Sequence, residues 1–392
     1  MTFAILVSLL GGALLLEIFF NHRVLSRALR RKPTPAQRLH TYPSVTVVRP
    51  VRGADVGCEQ NFTAALDTGY PGDVETLFVF DDESDPGYPI ACAVVRRHRD
   101  AGRAGTAEVL VAGPPPVGRT GKLNAMIAGE RAARHQLIAF GDSDTRPDRE
   151  VLRVLVEELL LTPGAGDTFA PVVVNCPAQK AGDVGYGMLI NGWYGPSVAL
   201  TARAAGGDVP FIMGQLMVFK REALAAIGGC ACAQGQLVDD MYIGTCVARA
   251  GYKNIMTEHP LYITTGGMSL AGFIKLFRRW LLFSRNGLPG SFTWPMWVRG
   301  LEFWLGFLSM TLALLTGHYL VALLPAAALL AFSASLVNLQ RKFGGAPIRG
   351  LHLLVPFVIP MVAPLEVASN LVNRSVDWRG RAYSLDTQAR LA

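Results

Sequence analysis

Two stretches of the sequence decide the fold. They are TLFVFDDESD at residues 76–85 and QLIAFGDSD at residues 136–144, and each joins an apolar run to a cluster of carboxylates. Short apolar runs bounded by polar residues predict buried strands, and similar runs occur at residues 45–48 and 108–111. Because a helix-like stretch follows each run, these strands predict a mostly parallel, Rossmann-like α/β sheet. Such sheets bind ligands at the carboxyl ends of their strands, where both clusters lie.

The second cluster has the spacing of a divalent-metal site. One residue separates Asp142 from Asp144, so both carboxylates can approach one Mg²⁺ or Mn²⁺ that is held by a diphosphate. Such a metal offsets the negative charge that builds on a departing nucleotide. The alternative is that acidic residues simply favour loops and helix caps. That explanation suffices for one cluster and is much weaker for two clusters at two strand ends.

A third acidic site lies at residues 237–244, which read LVDDMYIG and begin a predicted helix running to about Ala250. Neighbouring helical residues point about 100° apart, so we expect one of Asp239 and Asp240 to face a substrate and the other to cap the helix. A helix N-terminus keeps a carboxylate ionised, as a general base requires. The alternative is a pair of capping aspartates without chemistry.

Apolar residues concentrate at the two ends of the chain, and charged residues make up 17% of it, below the roughly 25% of soluble domains. Residues 2–20 are long enough to cross a bilayer and lack a cleavage site, which predicts a membrane anchor. A basic run from Arg23 to Lys32 follows directly. The positive-inside rule therefore places the next domain in the cytoplasm.

Further spans are predicted at residues 301–315 and 320–337. The last apolar stretch, residues 351–372, contains three prolines and precedes a basic tail. A simple span would place that tail outside the cell, so we predict a broken or re-entrant segment.

The whole chain is predicted to be an integral membrane protein, of the inner membrane in a bacterium. Its predicted divisions are an anchor at 1–22, a basic linker at 23–43, an α/β domain at 44–265, an amphipathic segment at 266–290, membrane helices at 300–372 and a cytoplasmic tail at 373–392.

Composition and failed motifs exclude several classes of protein. The net charge is +7, but the arginines lie beside apolar segments, where anionic lipids attract them, so we expect no nucleic-acid partner. The six cysteines lack paired spacing and are predicted to be reduced thiols. Residues 118–122 lack the full phosphate loop of an ATPase, and residues 267–271 lack the last glycine of an esterase elbow.

Residues 270–288 mix large apolar side chains with Lys275 and arginines. This composition suits a helix in the membrane interface, which would bring a catalytic site down to the lipid headgroups. An ordinary amphipathic helix that covers the domain is the alternative.

These motifs resemble those of the ceramide glucosyltransferase family, a lipid-directed branch of the GT-A glycosyltransferases. The resemblance covers most of the chain and implies a GT-A fold, a UDP-sugar donor, Mn²⁺ or Mg²⁺, and a lipid acceptor. Asp239 and Asp240 stand where the family usually has Glu-Asp, which implies Asp240 as the catalytic base with Asp239 beside it.

The resemblance also implies a donor site. Asp142 and Asp144 look like the metal-binding Asp-x-Asp, and Asp82 falls where the family has a uridine-contacting aspartate. The positions implied for nucleotide-sugar binding are Pro50, Arg52, Glu59, Asp82, Lys122, Asn124, Asp142, Gly214, Arg279 and Trp280.

One position departs from the family. Arg279 and Trp280 look like the end of its Gln/Arg-x-x-Arg-Trp signature, but Leu276 occupies the first place. That polar side chain normally helps to bind donor or acceptor, so the identity of the acceptor stays open. The tail DWRGRAY, residues 377–383, resembles a cytoplasmic terminus of related lipid glycosyltransferases.

The resulting prediction is an inverting transferase that moves a sugar, glucose by resemblance, from a UDP-sugar to the primary hydroxyl of ceramide or a similar lipid at the cytoplasmic face. Rival interpretations are transfer to polyprenyl phosphate or a hopanoid, a processive polysaccharide synthase, and an inactive nucleotide-sugar-binding scaffold. A processive synthase usually has more membrane spans, and it has the Gln of the signature that Leu276 replaces here. The intact aspartates argue against an inactive scaffold.

Overall fold

The computed structural model describes residues 2–30, 36–287, 290–372, 374–386 and 390–391, and the side chains within them except those of 284–296 and 371. Arg31 and Lys32, the end of the predicted basic run, lie outside the described residues.

A sheet of seven strands forms the centre of the molecule, in the order β3-β2-β1-β4-β8-β6-β9. Neighbouring strands are parallel except where β8 pairs with β4 and β6. A smaller sheet has the order β5-β10-β7, and β11 pairs with β12 in a hairpin. The strands are β1 Val45–Pro50, β2 Val74–Phe80, β3 Thr106–Val111, β4 Leu137–Gly141, β5 Thr145–Arg146, β6 Ala165–Phe169, β7 Val172–Val174, β8 Leu216–Lys220, β9 Lys253–Met256, β10 Leu261–Ile263, β11 Ser375–Trp378 and β12 Arg381–Ser384.

The four strands expected from the sequence are β1 to β4, so the mostly parallel α/β prediction is confirmed. Helices cover both faces of the sheet. The helices are α1 Thr2–Ala28, α2 Cys58–Leu66, α3 Tyr88–Asp100, α4 Gly121–Ala132, α5 Val151–Leu161, α6 Ala181–Gly187, α7 Gly195–Ala204, α8 Arg221–Ala226, α9 Asp239–Arg249, α10 Leu270–Gly287, α11 Gly290–Leu315, α12 Leu323–Phe343 and α13 Val355–Val372. A π-helix, Met188–Tyr194, joins α6 to α7.

The side chains of β1 point alternately to the two faces of the sheet, which explains why an apolar cluster lies on each face. Val48 belongs to the apolar cluster that includes Met126 of α4, and Val47 belongs to the cluster that includes Leu155 of α5. Successive strand residues point to opposite faces, so each face of the sheet has its own apolar layer. This arrangement leaves the carboxyl ends of the strands open as the place for a site.

Within the described parts of the chain, four segments are long and apolar enough to cross a membrane, by length and composition: Thr2–Ala28, Trp297–Leu315, Leu323–Phe343 and Gly350–Asn370. The helices are longer than the spans expected at residues 2–20, 301–315 and 320–337. Close packing joins α1 to α12, since Gly11 lies directly against the start of α12 and has no room there for a Cβ atom.

The last apolar segment is not broken, contrary to one form of the sequence prediction. The helix α13 continues through Pro360 and Pro364. Pro364 has no N–H to donate to the carbonyl of Pro360, and Trp304 Nε1 of α11 donates to that carbonyl instead, at 2.9 Å. A side chain from a neighbouring helix thus replaces the missing backbone hydrogen bond.

The chain on both sides of this segment contacts the rest of the molecule. Ahead of it, Gly345 packs beside Asn191 of the π-helix. At its other end, the Asn370 amide pairs with Arg278 of α10, at 2.9 and 3.2 Å. The re-entrant course of the segment stays a prediction, and the hairpin that follows packs on the central domain.

The helix α10 packs on the domain through Phe273, Phe277 and Trp280, all of them buried. Gly185 of α6 allows this contact because a Cβ there would overlap the Phe273 ring. The helix thus covers the domain, and its predicted place in the membrane interface stays a prediction.

Candidate functional site

A cavity of about 210 Å³ lies at the carboxyl ends of β1, β2 and β4. It gathers acidic and basic side chains from distant parts of the chain. The charged residues that line it are Arg52, Asp81, Lys122, Asp142, Asp144, Asp239, Asp240, Arg279, Arg379 and Arg381. The acidic residues of the second and third predicted sites thus meet in one cavity.

Buried Arg49 shapes the turn that carries Asp142 and Asp144. Its guanidinium donates to the backbone carbonyls of Asp142 and Thr145, at 2.6 and 3.1 Å. The Thr145 hydroxyl donates to the same Asp142 carbonyl, at 2.7 Å. These hydrogen bonds fix the backbone of the turn, and both carboxylates line the cavity.

Lys122 connects this turn to the third acidic site. Its Nζ lies 2.7 Å from Asp142 Oδ1 and 3.4 Å from the carbonyl of Gly214. Burial alone would lower the pKa of Lys122, but the carboxylates of Asp142, Asp239 and Asp240 raise it above its ordinary value. The ammonium therefore stays charged among them.

Both aspartates at the start of α9 line the cavity, so the prediction that one of them caps the helix instead is wrong. Val238 occupies the capping position. Asp239 is buried and accepts from the Thr120 hydroxyl, at 3.2 Å. Asp240 is more exposed and accepts from the backbone N–H of Gly214, at 2.8 Å.

Gly214 is required at its position because a Cβ there would overlap the Asp240 carboxylate. Its N–H and that of Met241 both donate to Asp240, at 2.8 Å each, and fix the direction of this carboxylate. Gly214 therefore acts through Asp240 rather than by lining the cavity.

Burial of the acidic residues in the cavity disfavours their ionised forms and so raises their pKa values. Burial and the neighbouring Asp142 carboxylate raise the pKa of Asp144 to about 6. Burial also raises the pKa of Asp239 to about 6, although Lys122 opposes the shift. Burial likewise raises the pKa of Asp240. A cation in the cavity would oppose these shifts.

The residues fit a divalent cation that brings its own further ligands. No group of three or more His, Cys, Asp or Glu side chains that could hold a metal occurs among the described residues. Asp142 and Asp144 supply two carboxylates, and Mg²⁺ is commonly bound by one or two carboxylates together with substrate phosphates and water. The donor set therefore fits a metal that arrives with a diphosphate.

Most of the predicted site residues line the cavity, and four do not. Those that line it are Pro50, Arg52, Lys122, Asp142, Asp144, Asp239, Asp240, Arg279 and Trp280. Glu59 is exposed and pairs with Arg97, and Asn124 donates its amide to the carbonyl of Gly113. With Gly214 and Asp82, these two lie outside the lining.

Asp82 turns away from the cavity because its carboxylate accepts from the backbone N–H and the hydroxyl of Ser84. Asp81 lines the cavity in its place and pairs with Arg52 and Arg381, at 2.9 Å each. Asp81 is the first residue after β2, which ends at Phe80. The uridine contact assigned to Asp82 stays a prediction.

Sequence reasoning missed the contribution of the C-terminal hairpin. Trp378, Arg379, Arg381 and Tyr383 all line the cavity. The sequence of the tail has two arginines between two aromatic residues, a composition typical of a binding site. However, no pattern in the sequence indicates that the tail packs against the sheet.

A second, apolar cavity of about 240 Å³ lies between the π-helix, α10, α11 and α13. It is lined by Trp193, Tyr194, Trp304 and Ala363, among others. Tyr194 contacts Trp280, which lines the first cavity, with ring centroids 5.2 Å apart. One pair of rings therefore stands between the charged and the apolar cavity.

Comparisons with known proteins find a matching family profile, similar sequences and similar solved structures. A family profile described as Glycosyl transferase family 21 matches residues 5–391. Ceramide glucosyltransferase 3 of Caenorhabditis elegans is 23% identical over 396 residues, which cover 97% of this chain and 81% of the relative. Ceramide glucosyltransferase 1 of the same organism is 24% identical over 245 residues, which cover 62% of this chain and 50% of the relative.

Among solved structures, the chain is similar to the mannosyltransferase PcManGT from Pyrobaculum calidifontis, in complex with GDP-Man and Mn²⁺. The TM-score is 0.51 at 19% identity, and the match covers 91% of this chain and 99% of that one. This likeness confirms the predicted GT-A fold.

Proposed function

The chain belongs to glycosyl transferase family 21, and on that premise we propose that it transfers glucose, with inversion, from UDP-glucose to the primary hydroxyl of ceramide or a similar lipid. Membership confirms the resemblance stated from the sequence, and with it the class of a glycosyltransferase. The observation that carries the proposal is the cavity that joins Asp142 and Asp144 to Asp240 beside an apolar cavity between membrane helices.

The proposed mechanism uses two pairs of aspartates, one on each side of Lys122. Asp142 and Asp144 would hold a divalent cation, which supplies positive charge for the departing diphosphate. Lys122 stays charged between them and the Asp239–Asp240 pair, and so keeps the two acidic groups from repelling each other. Arg279, which lines the same cavity, adds positive charge for the diphosphate.

Asp240 has the role of general base. Two backbone N–H groups orient its carboxylate, and it is more exposed to the cavity than Asp239. It takes the proton of the lipid hydroxyl as the oxygen attacks the anomeric carbon from the side opposite the diphosphate. One displacement inverts the configuration, and no sugar–enzyme bond forms.

The apolar cavity supports a lipid as the acceptor. Its walls are mostly aromatic and aliphatic, and two of the four helices around it, α11 and α13, contain candidate membrane spans. An acyl chain in this cavity would place its headgroup at the Tyr194–Trp280 pair, next to the charged cavity. The names of the relatives favour ceramide as this lipid and glucose as the sugar.

We place the catalytic domain on the cytoplasmic side. Arg23, Arg27 and Arg30 lie at the end of α1 that leads into the domain. Basic residues next to a span favour the cytoplasm. The tail returns to the same domain, so it lies on the same side.

Replacing the base tests the mechanism. We expect Asp240→Asn to lower kcat by roughly 100-fold to 10,000-fold, the usual contribution of a general base, while the affinity for UDP stays near that of the wild type. The assay is transfer of labelled glucose from UDP-glucose to ceramide, diacylglycerol, a hopanoid and polyprenyl phosphate in parallel, with Mn²⁺ or Mg²⁺.

Gly214→Ala is the companion variant, because the added Cβ displaces the Asp240 carboxylate without removing it. It should lower kcat in the same direction. Near-normal turnover of Asp240→Asn would refute the assignment of the base, and formation of a polymer without transfer to any lipid would refute the acceptor.

The pH dependence of kcat/KM tests the electrostatics. Asp240 must be ionised to accept a proton, and burial raises its pKa, so activity is lost on acidification at a higher pH than for an ordinary carboxyl group. Asp239 beside it has a pKa that burial raises to about 6, so a proton gained there would also disturb the base. We expect the acid limb of the profile above the pH at which an ordinary carboxyl group titrates; a limb near pH 4 would contradict this account.

Filling the apolar cavity tests the lipid site. We expect Ala363→Trp to raise the KM for the lipid about tenfold or more, since bulk in a well-packed site typically costs 1–3 kcal/mol. The KM for UDP-glucose should not change.

Ala368→Trp is the matched control, because Ala368 lies on the same helix but is exposed and outside the cavity lining. Equal effects of both variants on the KM for the lipid would show that the acyl chain lies elsewhere.

A further inference from the structure

The C-terminal hairpin closes one side of the charged cavity. Strands β11 and β12 pair antiparallel, with Arg379 and Gly380 at the turn. Arg379 has a φ of 53°, and it is the one non-glycine residue with positive φ within the described parts of the chain. A positive φ in a non-glycine residue costs about 1 kcal/mol or more, and it persists only where the surrounding contacts stabilise it.

Arg379 reaches acidic groups on two other segments. Its Nη1 lies 2.6 Å from Asp55 Oδ1 and donates to the carbonyl of Arg52, at 2.9 Å. Its Nη2 lies 3.7 Å from Asp144 Oδ2. The turn of the hairpin thus puts a guanidinium directly beside the predicted metal-binding carboxylate.

Arg381 approaches from the next strand. Its Nη2 lies 2.9 Å from Asp81 Oδ2, while its Nη1 is buried without a hydrogen-bond partner in the described structure. That Nη1 lies against Gly121, the first residue of α4, where a Cβ would overlap it. A buried, charged donor without a partner is unfavourable, so an acceptor that reached this nitrogen would stabilise it.

Two aromatic residues of the hairpin contact the rest of the site. The Tyr383 hydroxyl accepts from the backbone N–H of Gly121, at 3.3 Å. Trp378 stacks on the guanidinium of Arg279, whose carbon lies 5.8 Å from the ring centroid. The hairpin is therefore part of the wall of the cavity.

The charge of the cavity depends on this hairpin. Its lining has five acidic residues and five basic ones, and two of the five bases are Arg379 and Arg381. Without them the acidic residues exceed the basic ones by two, and the cavity would repel an anion. With them the acidic and basic residues are equal in number, and a divalent cation then adds the positive charge that attracts a diphosphate.

We propose that the C-terminal hairpin is a binding element for the nucleoside diphosphate, in which Arg379 and Arg381 bind the phosphate oxygens. This inference rests on the proposed function, since it names further residues of the same donor site. A phosphate oxygen accepts from the unpartnered Nη1 of Arg381, and Arg379 shares its charge between Asp144 and the diphosphate. Arginine suits this task because its planar fork matches phosphate geometry.

Binding measurements separate the diphosphate from the rest of the nucleotide. The probes are UDP and uridine, titrated calorimetrically with the full-length protein in lipid nanodiscs, with and without Mn²⁺. We expect Arg379→Gln and Arg381→Gln each to weaken UDP binding roughly tenfold to a hundredfold, as loss of a charged hydrogen bond does, and to leave uridine binding unchanged.

Arg374→Gln is the matched control, since Arg374 is exposed and lies just ahead of the hairpin, outside the cavity lining. It should bind UDP like the wild type. Unchanged UDP affinity in both hairpin variants would refute the inference, and tighter binding would show that the hairpin obstructs the donor instead.

Trypsin digestion of the wild type supplies a test that does not depend on variants. UDP should slow cleavage after Arg379 and Arg381 but not after Arg374, and uridine should protect none of them. Equal rates with and without UDP would overturn the inference. Should the wild type bind no UDP at all, the proposed function fails as well, whereas UDP binding without hairpin involvement refutes the hairpin alone.

Discussion

The site depends on one ion pair, between the Lys122 ammonium and the Asp142 carboxylate, 2.7 Å apart in a largely buried setting. Three acidic segments would repel one another at the sheet edge without a fixed cation between them. Lys122 comes from the start of α4, the helix that follows β3, and reaches both the Asp-x-Asp turn and Gly214, just ahead of β8. The strand order makes this possible, because β1 and β4 are neighbours and β8 leads back from Gly214 along β4.

The candidate membrane helices and the α/β domain pack into one structure. The apolar cavity takes its walls from α11 and α13 and from the π-helix of the domain, and Tyr194 and Trp280 stand between it and the charged cavity. The C-terminal hairpin adds charged side chains to the charged cavity. The lining of this cavity runs from Pro50 to Tyr383, which is consistent with a family match over residues 5–391.

The sequence predicted those features that depend on local pattern. Alternating apolar runs predicted β1 to β4, and a carboxylate after a strand predicted the place of Asp142 and Asp144. It could not decide which residue of a cluster faces inward: Asp81 lines the cavity and pairs with Arg52 and Arg381, while Asp82 bonds to Ser84. The hairpin was also beyond prediction, because nothing local shows that residues 327 positions apart, such as Arg52 and Arg379, meet. The prolines of α13 predicted a break that Trp304 prevents.

The central claim is that the acidic groups surround one diphosphate and the reacting carbon, immediately beside the lipid site. A cryo-EM structure of the Asp240→Asn variant in nanodiscs, with UDP-glucose and Mn²⁺, tests it most directly. The account predicts the diphosphate and metal between Asp142, Asp144 and the hairpin arginines, with residue 240 facing the anomeric carbon from the opposite side. A nucleotide bound elsewhere, or residue 240 turned away from the sugar, would contradict it.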